Sequence, residues 1–528
     1  PNDQNHLKSV SCQGGNIVNV NVSNFLVLER LSLQSTNTET IQLPRTNTLR
    51  DIRISGHKIN TISFENAPML EILEINYKDG TSPTHTQIDI TKNTQLKKFD
   101  ANSNYMTSIN VTQNTLLTDL DVSNNRLTVL DVTKNTVLKD LDASRNQLPT
   151  INLAQNTLLE RLNLSNNQLP NLNVTQNIGL TQLIINNNLF TGTGLDLTQN
   201  VNLNYLNASY NQIASLNISQ NRFLRNLILN HNRFSGTSIM DQYHAIQLAG
   251  GGLGYGQLDV SYNLLSGTIP DFASIINYSY TRDFDLIFND NFFHFGDFEN
   301  RHAAYVAALT TRPTTSNWSF IFDKYLYAPQ AKVNQVETLT PASGSDLVLT
   351  TTVRGSQNHY RWYKDGVAIP DAPDSPNYTL YNVTDCDRGV YHSEIRSDLV
   401  PFENSNPPGT GGKNLLLIRN NITVNVQGIS KTCSNMVNPA NNATAVPIST
   451  GLQWQNNLGA CGYRLSVGTN VAANNILNNV DVGKTNVYNF ANNLTPSTTY
   501  YVRVVPYFSD GPLATACTIQ RFTTGTTS

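Results

Sequence analysis

Charge is scarce in this chain: 14% of its 528 residues are Asp, Glu, Lys or Arg, against 39% hydrophobic. Lys and Arg total 35 and Asp and Glu 38, a formal net charge of −3. No cationic field exists to neutralise phosphates or anionic lipid heads, so nucleic acid is not an expected partner. No apolar run of about 18 residues occurs, so no helix is expected to insert into a membrane. The five cysteines include no C-x-x-C pair, which argues against thiolate zinc and dithiol chemistry. H-E-x-x-H, G-x-S-x-G and a supported Cys–His set are also missing, and the nine histidines are scattered. The expectation is therefore a non-catalytic chain without a cofactor. The start, PNDQNHLKSV, lacks the basic-then-apolar pattern of a signal peptide, as expected of a mature or cut chain. The glycine cluster Gly250, Gly251, Gly252, Gly254 and Gly256 precedes an expected strand instead of opening a helix, so a dinucleotide loop is not inferred.

What the chain has in place of charge is Asn, Thr and Ser, arranged periodically. Leu96, Leu117, Leu138, Leu159 and Leu180 stand 21 residues apart, as do Leu7, Leu28, Leu49 and Leu70. The step widens to 26 between Leu70 and Leu96 and to 23 between Leu180 and Leu203, which places extra residues in loops. Within one unit, Leu117, Leu120, Val122, Asn125 and Leu127 fill L-x-x-L-x-L-x-x-N-x-L, the leucine-rich-repeat pattern. Alternation at Leu120 and Val122 predicts a short strand with its apolar side inward and Asp119, Asp121 and Ser123 outward. A single coil cannot bury its leucines, but coils stacked at about 4.8 Å share one core.

Asn104, Asn125, Asn146, Asn167, Asn188, Asn211 and Asn232 are expected to turn their amides inward and satisfy backbone groups at the bend. Ile109 with Val111, Leu130 with Val132, Ile151 with Leu153 and Leu172 with Val174 predict a second strand on the opposite side of each coil. Asn114, Asn135, Asn156 and Asn177 then punctuate return turns. N-x-S/T triplets such as Asn163-Leu164-Ser165 belong to this repeat and are not read as glycan sites. Near the end of the array, FGDFENRHAAYVAALTT is expected to form a capping helix with Ala303, Val306 and Leu309 on one face.

After a linker around YLYAPQAKVNQ, NHYRWYKDGVAIP and DCDRGVYHSEI have the spacing of an immunoglobulin-like sandwich, with Trp362 in its core. Asp387, Gly389 and Tyr391 match the tyrosine-corner stretch, while Ser393 stands where an antibody domain carries its second cysteine. The last module, with Trp454, GYRLSVGT and LTPSTTYYVRVVPYFSDG, reads as a fibronectin type III sandwich with Tyr500, Val502 and Val504 inward. One disulfide among Cys433, Cys461 and Cys517 is expected, its partners undetermined. The expected fold is mainly β: a solenoid over 1–325, then sandwiches over 326–427 and 428–528.

Taken together, YAPQAKVNQVETLT, HYRWYKDGVAIP and GYRLSVGTN with VDVGKTNVYNF resemble secreted and surface proteins of flavobacteria and other Bacteroidetes that join these three module types. That resemblance implies export by the type IX system, dealings with secretion or outer-membrane machinery, and an extracellular or outer-surface location. The short repeat step is also similar to internalin-like bacterial repeats, which implies an extracellular protein or polysaccharide partner. The alternatives are a stalk or targeting region of a larger secreted enzyme, or a structural spacer of a surface or motility assembly.

The middle outward position of successive strands reads Ser32, Arg53, Glu74, Asp100, Asp121, Asp142, Asn163, Ile184, Asn207, Ile228, Asp259. With Asp119 and Asp140 in the adjoining row, this predicts a local acidic patch, partly neutralised by Lys98, Arg161 and Lys139. Glu74, Asp100, Asp119, Asp121, Asp140, Asp142, Arg161 and Tyr205 are the candidate ligand-binding residues, and no metal is assigned. A second candidate is the longer loop with Tyr243, His244 and Tyr255.

Overall fold

The computed structural model describes residues 6–34, 36–78, 86–192, 194–249, 256–272, 282–310, 320–401, 415–513 and 515–526. The chain divides into two compact units, Pro1–Ala331 with Leu399–Leu415 and Lys332–Asp398 with Leu416–Ser528.

The first unit is a leucine-rich-repeat solenoid. Its strands, from Ser9–Gln13, Arg30–Gln34 and Asp51–Ser55 through Asp119–Asp121 and Asp140–Asp142 to Phe320–Leu326, form one parallel sheet of 14 in chain order. Each coil adds one short strand because its two alternating apolar residues need a neighbour on both sides. Leu117, Leu138 and Leu159 are each 0% exposed, so they share one dry interior.

Two buried asparagine rows stitch the coils together. Asn125 donates its amide to Ala101 O and Val122 O, both at 3.0 Å, and its Oδ1 accepts from Met106 N at 2.9 Å. Asn146, Asn167, Asn188, Asn211 and Asn232 repeat this pattern. At the end of the array Gln330 takes over, its Oε1 accepting from Asn291 N at 3.1 Å and its Nε2 donating to Phe288 O at 3.0 Å. The supposed linker therefore begins inside the last coil, where Tyr325 is fully buried.

The other row, expected only to punctuate turns, is a second internal ladder. Asn135 is 0% exposed and donates to Val111 O at 3.0 Å and Asn114 O at 2.9 Å. Here the convex side departs from expectation. Paired strands form at Asn19–Asn21 with Thr40–Gln42 and at Thr61–Ser63 with Gln87–Asp89. Around Ile109, Leu130 and Ile151 the chain forms no strand, and Leu172 makes a lone bridge to Leu195. Val111, Val132 and Val174 still point inward, while the asparagine amides make the links between coils that the backbones do not.

The segment expected to be a longer loop is helix α1 (Ser238–Ala249), which buries Ile239, Met240, Tyr243, Ile246 and Gln247. Tyr255 lies outside the described residues, as do Gly250, Gly251, Gly252 and Gly254. Helix α2 (Glu299–Thr310) forms as expected, but its buried residues include His302 and Tyr305, while Ala303 is exposed and Val306 half-buried. These rings meet Tyr325 and Tyr327 of the last coil edge-on or tilted, so aromatic contacts set the docked face where aliphatic spacing suggested another.

In the second unit, Gly389–Ser397 pairs with Asn358–Lys364 and Ile422–Val424 in a six-stranded sheet that faces the pair Leu347–Thr350 and Asn377–Leu380. Trp362, Tyr391, Leu349 and Leu380 fill the core between them. The Tyr391 hydroxyl donates to Asp387 O at 2.8 Å. Ser393 is fully buried and shares a 2.7 Å hydrogen bond with the hydroxyl of Thr351, so a polar link stands where a disulfide was expected to be missing. Further along, Gly462–Gly468 pairs with Thr499–Phe508 in a five-stranded sheet, opposite the three strands Met436–Asn438, Leu452–Trp454 and Val487–Tyr488. Trp454, Tyr463, Tyr500, Val502, Val504 and Phe522 form that core. Two disulfides are present, Cys433–Cys517 and Cys386–Cys461; the second joins two stretches that the sequence did not connect.

Candidate functional site

The concave sheet aligns its outward residues in straight rows because every strand pairs in register with the next. Glu74, Asp100, Asp121, Asp142, Asn163 and Ile184 are successive partners in one row. Lys98, Asp119, Asp140, Arg161, Gln182 and Tyr205 are partners in the adjoining row. Strand spacing of about 4.8 Å therefore sets the separation of like-charged neighbours.

Part of each aspartate is already employed. Asp121 Oδ1 accepts from Ser123 N at 2.9 Å and Asp142 Oδ1 from Ser144 N at 2.9 Å. Asn163 makes the same turn onto Ser165, so this role needs an Oδ1 but no charge. The charge is what the turn does not explain.

Cations reach the cleft unevenly. Glu74 is held by Arg53 at 3.2 Å and Lys98 at 2.7 Å, which closes a ladder that begins with Arg30 and Asp51. Arg161 donates to Asp140 at 2.6 Å. Lys139 pairs instead with Glu160 at 3.3 Å and does not serve the patch as expected. Among the described residues no ion pair reaches Asp100, Asp119, Asp121 or Asp142. Burial and then the neighbouring charges of Asp100 and Asp142 push the Asp121 carboxyl up to about 6, against hydrogen bonds from Ser123 that favour its charged form. Asp140 is also raised, by burial first, although Arg161 opposes the shift.

Six of the eight candidates, Asp100, Asp119, Asp121, Asp140, Asp142 and Arg161, line one open cleft of about 380 Å³. Glu74 lies one strand outside it, engaged by its two cations, and Tyr205 lies one strand beyond Gln182 at the other end. Lys98, whose ammonium is on Glu74, also lines it, as do Asn163, Gln182 and Ile184, which were not singled out from the sequence as ligand residues. A further feature was missed altogether. Tyr210, His231 and Tyr262 stack with ring centroids 4.1 Å apart on the edge of the solenoid, each just before a ladder asparagine. The signal was present as Tyr210-Asn211, His231-Asn232 and Tyr262-Asn263 in successive coils. Of the other candidate, Tyr243 is fully buried with its hydroxyl on Arg225 O, the His244 ring bonds Asp271 O at 2.9 Å, and Tyr255 lies outside the described residues.

No family model matches the chain, and no curated protein does. Among solved structures it is similar to the functional domain of InlJ from Listeria monocytogenes, which includes a cysteine ladder, at 18% identity, 80% of this chain, 86% of that chain and a TM-score of 0.44. It is also similar to a leucine-rich-repeat protein of Leptospira interrogans, at 20% identity, 47% of this chain, 71% of that one and a TM-score of 0.38. The leucine-rich-repeat ectodomain of an Arabidopsis thaliana membrane receptor kinase matches at 17% identity, 60% of this chain, 44% of that one and a TM-score of 0.39.

Proposed function

We propose that this chain is a non-catalytic binding protein of the adhesin type, exported to the cell surface or beyond it, whose concave cleft takes a cationic segment of an extracellular protein. The carrying observation is the set of four carboxylates that no ion pair reaches among the described residues, beside coils whose charges are matched. Like charges at strand spacing repel, and a positively charged ligand removes that cost while it releases desolvated carboxylates from one another. A polysaccharide bearing amino groups meets the same chemistry. Asp100, Asp119, Asp121 and Asp142 carry the attraction in this reading, and the Asp140–Arg161 pair and Gln182 bound the site.

Two disulfides support an oxidising, extracellular setting. Also within this proposal, residues 332–398 with 416–427 form the immunoglobulin-like and 428–528 the fibronectin-like module of a type IX cargo of the flavobacterial kind. A spacer or stalk role for those two modules is favoured by the disulfide between them.

The test is binding of the full chain to a lysine- and arginine-rich peptide, and to an uncharged glucan, at low and high salt. The peptide is expected to bind, with affinity falling as salt rises. Asp100→Asn with Asp121→Asn and Asp142→Asn should weaken it at least tenfold, about 1.4 kcal/mol. Equal binding by the triple variant would refute the assignment.

A further inference from the structure

The second unit holds a seam between its two cores that no property of the concave cleft requires. The chain crosses from one module to the other at Gln427–Ser430, and this crossing is tied down on both sides. Ser343 N donates to Gln427 O at 2.8 Å, and Ser430 N donates to Leu458 O at 3.0 Å. Ile429 packs against both hydrophobic cores. Opposite it, Gly459 sits at φ +85, and a Cβ there would stand 2.9 Å from Ile429 Cγ1, so the close approach requires glycine.

On the same seam lies the turn Asp385–Asp387. Asp385 is 2% exposed; its N–H donates to Gly459 O at 2.9 Å, and its carboxylate accepts from Ser509 N at 3.0 Å and Ser509 Oγ at 2.5 Å. Arg388 balances the charge at 2.8 Å. The next residue, Cys386, is bonded to Cys461, which is 75 residues away in the other module. Cys433–Cys517, by contrast, closes the second module on itself.

We infer that the two modules form one rigid strut, joined at two covalent points, the peptide crossing and the Cys386–Cys461 bond, with the buried Asp385 carboxylate as the clamp between them. One peptide tether alone leaves rotation free, since a few linker torsions reorient whole domains. A second bond across the same seam removes that freedom. Opening the seam would also strip Asp385 of its Ser509 partners, and a buried carboxylate does not tolerate that loss. The strut fixes the orientation of the second module against the first, whatever the solenoid binds.

Spin labels introduced as noncanonical residues at Val348 and Val471, 52% and 72% exposed, report the inter-module distance in the full chain. One narrow distribution is expected for the native protein. Cys386→Ser with Cys461→Ser should broaden it, and adding Asp385→Ala should widen it at least about twofold as a hinge ensemble appears. A broad native distribution, or a triple variant as narrow as the native chain, overturns the strut. Should the triple variant not fold, non-reducing peptide mapping of the native chain decides: a Cys386–Cys461 peptide supports the seam, and Cys386 free or bonded elsewhere overturns it.

Discussion

Replacing Asn146 by Leu should destabilise the solenoid more than replacing Asn135 by Leu, although Asn135 is the more deeply buried, 0% exposed against 8%. Asn146 donates to Val122 O, Ala143 O and Ser144 O and accepts from Leu127 N at 2.9 Å. Each carbonyl keeps another donor after the substitution: Asn125 Nδ2 for Val122, Asn167 Nδ2 for Ala143 and Asn124 N for Ser144. The Leu127 N–H keeps none, and one orphaned buried donor costs about 1 to 3 kcal/mol. Asn135 donates to Val111 O and Asn114 O, which also accept from Asn114 N and Leu117 N. Its own Oδ1 is buried without a hydrogen bond, so Asn135→Leu orphans nothing and removes one unsatisfied atom. The expected difference is about 2 kcal/mol, or roughly thirtyfold in local opening. Two of the three tryptophans, Trp362 and Trp454, lie in the second unit, so whole-chain fluorescence is not specific to the substituted coils. Hydrogen exchange over peptides spanning residues 101–190 reads the affected coils directly. An Asn135→Leu penalty equal to or above that of Asn146→Leu would refute the hydrogen-bond accounting and leave burial as the governing quantity.

Asp121→Asn should stabilise the solenoid by about 1 to 3 kcal/mol at pH 7 and by little at pH 3, because a folded-state carboxyl raised to about 6 binds its proton more tightly than the unfolded chain does. For the native protein the sign follows: stability falls as pH rises from about 4 to 6, and pH-resolved denaturation that shows a gain over that window attributable to Asp121 would contradict the shift. Ser393→Ala alone should cost about 1 to 2 kcal/mol by stranding the Thr351 hydroxyl, whereas Ser393→Ala with Thr351→Val should recover most of it in tryptophan-monitored denaturation. Tyr262→Ala should leave peptide binding in the acidic cleft within about twofold, since its ring stacks on His231 and lines no part of that cleft; a larger loss would extend the site to the solenoid edge.

The solenoid was legible because its signal is repeated and local. A 21-residue step forces each Leu and Asn into the same environment as its predecessor, so identifying one coil orders the outward rows of the others, and the run Arg53, Glu74, Asp100, Asp121, Asp142 is the observed row. What stayed illegible depends on partners that no period encodes. Lys139 and Arg161 are both flexible cations near the patch, yet one turns to Glu160 and the other to Asp140. Gln330 does the work of a ladder asparagine with a longer side chain, which a search for Asn passes over. Cys386 and Cys461 belong to separate strand patterns, and they meet where Ile429 packs against Gly459 and Asp385 bonds Gly459 and Ser509, contacts that no period encodes. The acidic cleft falls between these cases. Its geometry follows from register and could be read in advance, but its unbalanced charge could not, because that depends on where two long side chains come to rest. Register therefore placed these carboxylates side by side, while side-chain packing left four of them without an ion pair among the described residues.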